Sequence, residues 1–185
     1  GLLLVLAIVW PLQWLRVKKR PINRHFKKLQ ILSASWMSFT HGMNDAQNAM
    51  GIIAIALVSY GAMDSFHVPM VIRILCASAM GLGTLFGGWR IIRTIVNKLS
   101  SPEPMPVKGF SAQTAAGGVI FVMSLFGIPI STSHAISSTV MGTTAAERIG
   151  AANWKVGKSM VIAWVITIPI TATIAGCIKL LFQLI

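Results

Sequence analysis

Apolar residues arrive along this chain in long blocks, and polar residues interrupt the blocks at a few places only. The first block, residues 1–15, carries no acidic or basic side chain but falls short of the roughly twenty residues a spanning helix needs. It predicts a partial transmembrane helix, and with Gly1 at the start the chain reads as a piece of a longer protein. Residues 29–62, 69–96 and 160–184 form three further blocks, of which the first is longer than one crossing requires and the last contains Pro169, expected to kink it. Residues 111–147 form a fourth, broken in the middle by "GIPISTSH".

The basic residues give these blocks a direction. The cluster in residues 16–28, "RVKKRPINRHFKK", predicts a basic cytoplasmic connection, because Lys and Arg concentrate on that side of membrane segments. "MDSFHV", without Lys or Arg, fits the outer side, and Arg90, Arg93, Lys98 and Lys108 bring the chain back inside. Both ends of residues 111–147 then lie beside cytoplasmic charges, which requires an even number of crossings. The segment is too short for two full spans and a turn, so a re-entrant helical hairpin is predicted. Irregular backbone at membrane depth survives only where protein or a wet cavity surrounds it, which marks the hairpin tip as a candidate site.

Composition agrees: 55% hydrophobic, 11% charged and a mean hydropathy of +0.73 exclude an ordinary soluble domain, in which about a quarter of residues are charged. The net charge of +12 sits next to the apolar blocks, which favours juxtamembrane charge that fixes orientation over a nucleic-acid patch. Cys76 and Cys177 lie within apolar stretches without metal-ligand spacing and read as packing residues. Trp10, Trp14, Trp89, Trp154 and Tyr60 fit interfacial anchors. The predicted fold is an all-α integral membrane chain of three to four transmembrane helices, one of them broken, plus the hairpin.

Two constellations carry chemistry. In "SFTHGMNDAQNAMG" the polar residues Asn44, Asp45, Gln47 and Asn48 stand in the middle of an apolar block. A carboxylate at the centre of a spanning helix costs about 2.5 kcal/mol or more on insertion scales. A continuous helix would spread these side chains over more than one face, so unwinding near Gly42 is expected, with the Asp45 carboxylate and freed carbonyls holding a cation. In "GIPISTSHAISS", Gly127 and Pro129 end one arm, and Ser131, Thr132 and Ser133 are natural caps for the next. Three hydroxyls at a helix N-terminus make an anion cradle with no fixed positive charge, which suits a substrate that must leave again. His134 and His41 read as hairpin-pinning or proton-relay residues.

With these residues in place, the sequence resembles the inorganic phosphate transporter (PiT) family. "GMNDAQNAMG" is similar to its G-x-N-D signature and "PISTSHA" to its P-x-S-T-[ST]-H hairpin motif, in the family's order. The resemblance implies one half of an inverted-repeat transporter, similar to the C-terminal half through the "NDAQ" form. It also implies secondary active transport of inorganic phosphate coupled to sodium or protons by alternating access. Asn44, Gln47, Ser131, Thr132 and Ser133 are then phosphate-binding residues, while Asp45 and Asn48 take the coupling cation, a bound sodium if sodium drives transport. No cofactor beyond that ion is expected and no enzymatic activity. The expected partners are phosphate, the cation, membrane lipid, the inverted-repeat half and a second copy in a homodimer. The short loops point to a prokaryotic inner (plasma) membrane. The alternatives are a carrier of another tetrahedral oxyanion such as sulfate, and a membrane enzyme using Asp45 and His134 on a phosphorylated lipid.

Overall fold

The computed structural model describes Ala7, Pro11 and residues 19–99, 106–147 and 149–184. The described residues form five α-helices: α1 (Lys19–Ser59), α2 (Met70–Leu99), α3 (Pro106–Leu125), α4 (Thr132–Glu147) and α5 (Trp154–Leu184), with a short 3-10 turn at Ile149–Ala151 between the last two. The expected partial helix over residues 1–15, with Trp10 and Trp14, lies outside the described residues. The basic connection is a correction in part, because residues 19–28 are already the first turns of α1.

The larger correction concerns the break. The chain does not unwind near Gly42: α1 is helical without interruption through "HGMND", and among the described glycines only Gly61 and Gly127 take a left-handed φ, at 71° and 67°. The reason lies in the spacing. His41, Asn44, Asp45 and Asn48 stand at i, i+3, i+4 and i+7, one stripe of an intact helix, so the polar groups gather on one side without backbone rearrangement. Only Gln47 leaves the stripe.

α1 meets α3 at the edge of that stripe, through Asn44. The two helices run in the same direction, as their contacts advance together: the Phe26 and Phe110 rings meet edge to face, Ser33 Oγ donates to Gln113 Oε1 at 2.6 Å, the Trp36 ring packs on Gly117 and Phe121, and Ser124 Oγ donates to Asn44 Oδ1. Gly109, Gln113, Gly117, Ile120 and Ser124 form the facing row of α3, small or polar where α1 comes closest. Gln113 thus ties the two helices together.

The hairpin is a helix-turn-helix. α3 opens on Pro106, whose missing N–H is harmless in a first turn, and so begins before residue 111. It closes with a Schellman arrangement: Gly127 N–H donates to Ser124 O at 3.1 Å and Ile128 N–H to Met123 O at 2.9 Å, with Gly127 supplying the left-handed φ of 67°. α4 packs back on α3 and more narrowly on α1 and α2. Its buried Thr139, Thr143 and Thr144 hydroxyls donate to carbonyls of their own helix, so they lie at the packed face without an unmet donor.

α2 and α5 contain segments long and apolar enough to cross a membrane, Met70–Ile95 and Trp154–Gln183. α1 has the length but not the composition, because its polar stripe lowers the hydropathy. α2 leaves Ile74, Leu75, Leu82, Leu85 and Phe86 exposed, while Cys76 is buried. Trp89 is exposed beneath the Arg93 guanidinium, 5.5 Å from its ring centroid. α5 belongs to a second unit, residues 153–185; Asn153 Oδ1 caps it by accepting from Val156 N–H, and it continues through Pro169.

Candidate functional site

Among the described residues, the hairpin turn, residues 126–131, is the break in regular backbone that meets the polar stripe. Asn44 joins the two. It is 1% exposed, and its Nδ2 donates to Ile130 O at 2.9 Å and to Asp45 Oδ1 at 3.0 Å, while its Oδ1 accepts from Ser124 Oγ at 3.4 Å. The intact helix is thus tied to the hairpin tip through one buried carboxamide.

Asp45 stands at the edge of this contact. Its second oxygen, Oδ2, lies 3.0 Å from His41 Nε2, one turn earlier, and both side chains are about one third exposed at 32%. The carboxylate is therefore held by neighbours on both oxygens while still reaching the surface of the unit. Asn48 is half-buried one turn further along the stripe, and Gln47 is exposed beside it.

Ile130 leads directly into Ser131, the N-cap of α4. Ser131 O accepts from Ala135 N–H at 3.1 Å and Ser131 Oγ from His134 N–H at 3.4 Å. Thr132 is buried, whereas Ser131 and Ser133 are exposed, so two of the three expected hydroxyls are open at the helix start. The first N–H groups of α4 and its dipole give this end a positive character suited to an anion. An open cleft of about 470 Å³ begins here, with Ser131, His134, Ser138 and Thr139 on one side and Ala116 and Val119 of α3 on the other. His134 faces this cleft.

The expected residues therefore fall into three groups. Asn44, Asp45 and His41 are linked by hydrogen bonds or ion pairing and touch the tip through Ile130. Ser131 and His134 share the cleft. Gln47 and Asn48 lie further along α1, and Thr132 and Ser133 lie in the first turn of α4. Sequence reasoning missed Ser124, although its place on the row of Gly117 and Ile120 marks it as facing α1.

Comparison with known proteins covers the same region. A family model described as the phosphate transporter family matches residues 5–175. A probable low-affinity inorganic phosphate transporter of Rhizobium meliloti (strain 1021) is 43% identical over 179 residues, covering 95% of this chain and 53% of the relative. One of the same description from Bacillus subtilis (strain 168) is 43% identical over 83% of this chain and 46% of the relative. A solved structure described as the sodium-dependent phosphate transporter superposes with a TM-score of 0.69 at 29% identity, over 80% of this chain and 37% of that one. The chain spans about half the length of the curated relatives it matches, and those relatives are named as transporters, not enzymes. On the family match and these identities the chain is an integral membrane protein that belongs to the phosphate transporter family.

Proposed function

We propose that this chain forms one wall of the substrate path in a secondary transporter that moves inorganic phosphate with a cation by alternating access. The observation that carries this reading is the Asn44–Ile130 bond, which sets the Asp45 carboxylate beside the capped N-terminus of α4. A carboxylate suited to a cation on α1 and a helix start suited to an anion on α4 are then joined through one carboxamide. Phosphate is held by the α4 N-terminus with Ser131, Thr132, Ser133 and Gln47, and the cation by Asp45 with Asn48. Sodium is the favoured ion, because the structural neighbour is described as sodium-dependent. The hairpin enters and leaves the bacterial plasma membrane from one side, and an inverted-repeat half faces it across the path. The chain is the C-terminal half of that pair, the assembly is a homodimer, and no cofactor is required.

Labelled phosphate uptake into proteoliposomes holding the intact transporter tests this, under a sodium gradient and then a proton gradient, with sulfate as competitor. Uptake driven by sodium and indifferent to sulfate is expected. Equal competition by sulfate would replace phosphate with a broader oxyanion class, and turnover of a phosphate ester without transport would favour the enzyme alternative.

Ser131 separates capping from anion contact. Ser131→Ala is expected to cost about 1 kcal/mol of hairpin stability through the lost cap. Ser131→Asp keeps the cap but sets a negative charge against the anion. Thermal unfolding should therefore recover in the Asp variant while half-saturation by phosphate worsens beyond that of the Ala variant. Parallel recovery of both would confine Ser131 to capping.

A further inference from the structure

We infer that Asn44 is a positioning residue that sets the response of Asp45 to its cation and relays it to the hairpin tip, and that Ser124 acts with it. The inference rests on the transport reading and reassigns one residue within it, since the family resemblance implies that Asn44 is among the phosphate contacts.

A primary amide has two N–H donors, and here both are spoken for: one goes to Asp45 Oδ1 at 3.0 Å, the other to the Ile130 carbonyl at 2.9 Å. The carbonyl end accepts from Ser124 at 3.4 Å. With the side chain 1% exposed, an incoming anion could reach the amide only by breaking one of these bonds in a buried place. Asn44 is therefore badly placed to bind phosphate and well placed to hold two other things still.

The first is the carboxylate. Neighbours i and i+1 on a helix diverge, so the Asn44 amide must reach sideways to meet Asp45, and the contacts to Ile130 and Ser124 fix it in that pose. With Asn44 on Oδ1 and His41 near Oδ2, the carboxylate has one orientation and keeps lone pairs on both oxygens for a cation. The second is the tip. The Ile130 carbonyl immediately precedes the cap of α4, so its position decides where the anion-binding end of that helix points. A cation that pulls on Asp45 pulls on the same carboxamide that holds the tip. Cation loading thereby shapes the anion end through one side chain, which makes the two loadings interdependent.

Initial uptake rates in proteoliposomes of the intact transporter test this. They are titrated with the driving cation at saturating phosphate, and with phosphate at saturating cation, for Asn44→Ala, Ser124→Ala and the double variant. Half-saturation by the cation is expected to rise about tenfold in Asn44→Ala and about threefold in Ser124→Ala, whose bond is longer, with the double variant no worse than Asn44→Ala alone. Phosphate half-saturation at saturating cation should stay within about twofold of the unmodified protein, since uniform substrate contacts are untouched. A large rise in phosphate half-saturation with an unchanged cation response would make Asn44 a ligand and overturn the inference. Additive effects of the two substitutions would also overturn it. If Asn44→Ala fails to reach the membrane, Ser124→Ala alone decides, because it removes one buried hydroxyl and touches neither Asp45 nor the cleft. Absence of uptake by the unmodified protein under either gradient would instead defeat the transport reading, and this inference with it.

Discussion

Asp45→Asn is expected to lower cation-driven phosphate uptake about ten- to a hundredfold while the protein still inserts and folds. The magnitude follows from the loss of a charged contact, worth about 1.5–3 kcal/mol, at a step that requires the cation to be bound. The fold should survive because asparagine keeps the shape of the side chain and the hydrogen bond that Asn44 donates to Oδ1. The His41 contact loses the carboxylate oxygen but lies in a place about one third exposed, where such contacts contribute little to stability. Ionisable residues within membrane segments are costly to keep, which argues for a functional charge at this position. Uptake is measured at saturating sodium and again at saturating protons, with thermal unfolding of the purified variant as the folding control. Unchanged uptake and unchanged cation dependence in a well-folded Asp45→Asn variant would remove Asp45 from the cation site.

Much of this arrangement was legible from residue types. The apolar blocks gave the helices, the "GIPISTSH" interruption gave the hairpin turn, and Ser131 caps α4 as its chemistry predicts. The break in α1 was misread for a reason that can be stated. Counting Asn44, Asp45, Gln47 and Asn48 as a dense polar patch hid the fact that His41, Asn44, Asp45 and Asn48 follow helical spacing, and a stripe needs no unwinding. What the stripe needs is a polar partner, and α3 and the turn after it supply one through Ser124 and the carbonyl of Ile130. A backbone acceptor leaves no mark in sequence, and one serine among the many small residues of α3 carries little signal by itself. The parallel course of α1 and α3 is likewise a tertiary fact, encoded only by two rows of small and polar residues some eighty positions apart, as Ser33 and Gln113 are.

That close parallel packing yields the second large effect. Gly117→Ala is expected to destabilise the protein by about 1–3 kcal/mol, a lowering of the thermal midpoint on the order of 5 °C. A Cβ at Gly117 would sit 2.6 Å from Cδ1 and from Nε1 of Trp36, inside any real carbon contact. The indole cannot swing away cheaply, because Phe121 stands 5.0 Å from it and Phe39 6.3 Å, centroid to centroid. Two neighbouring glycines supply the controls. A Cβ at Gly118 meets nothing within 4 Å, so Gly118→Ala should be neutral or slightly stabilising through better helix propensity. A Cβ at Gly109 would meet the end of the Gln30 side chain, a flexible group that can move, so Gly109→Ala should cost little. Trp36→Leu in the Gly117→Ala background should recover part of the loss, which a general effect of alanine at position 117 would not allow. Equal tolerance at Gly117 and Gly118 would mean that α1 and α3 do not approach this closely. The consequence reaches the site, because Gly117 and Ser124 lie on the same row of α3: pushing the helices apart at Trp36 draws Ser124 and Ile130 away from Asn44. Gly117→Ala should therefore shift the cation response in the same direction as Ser124→Ala, from a position that touches neither ion.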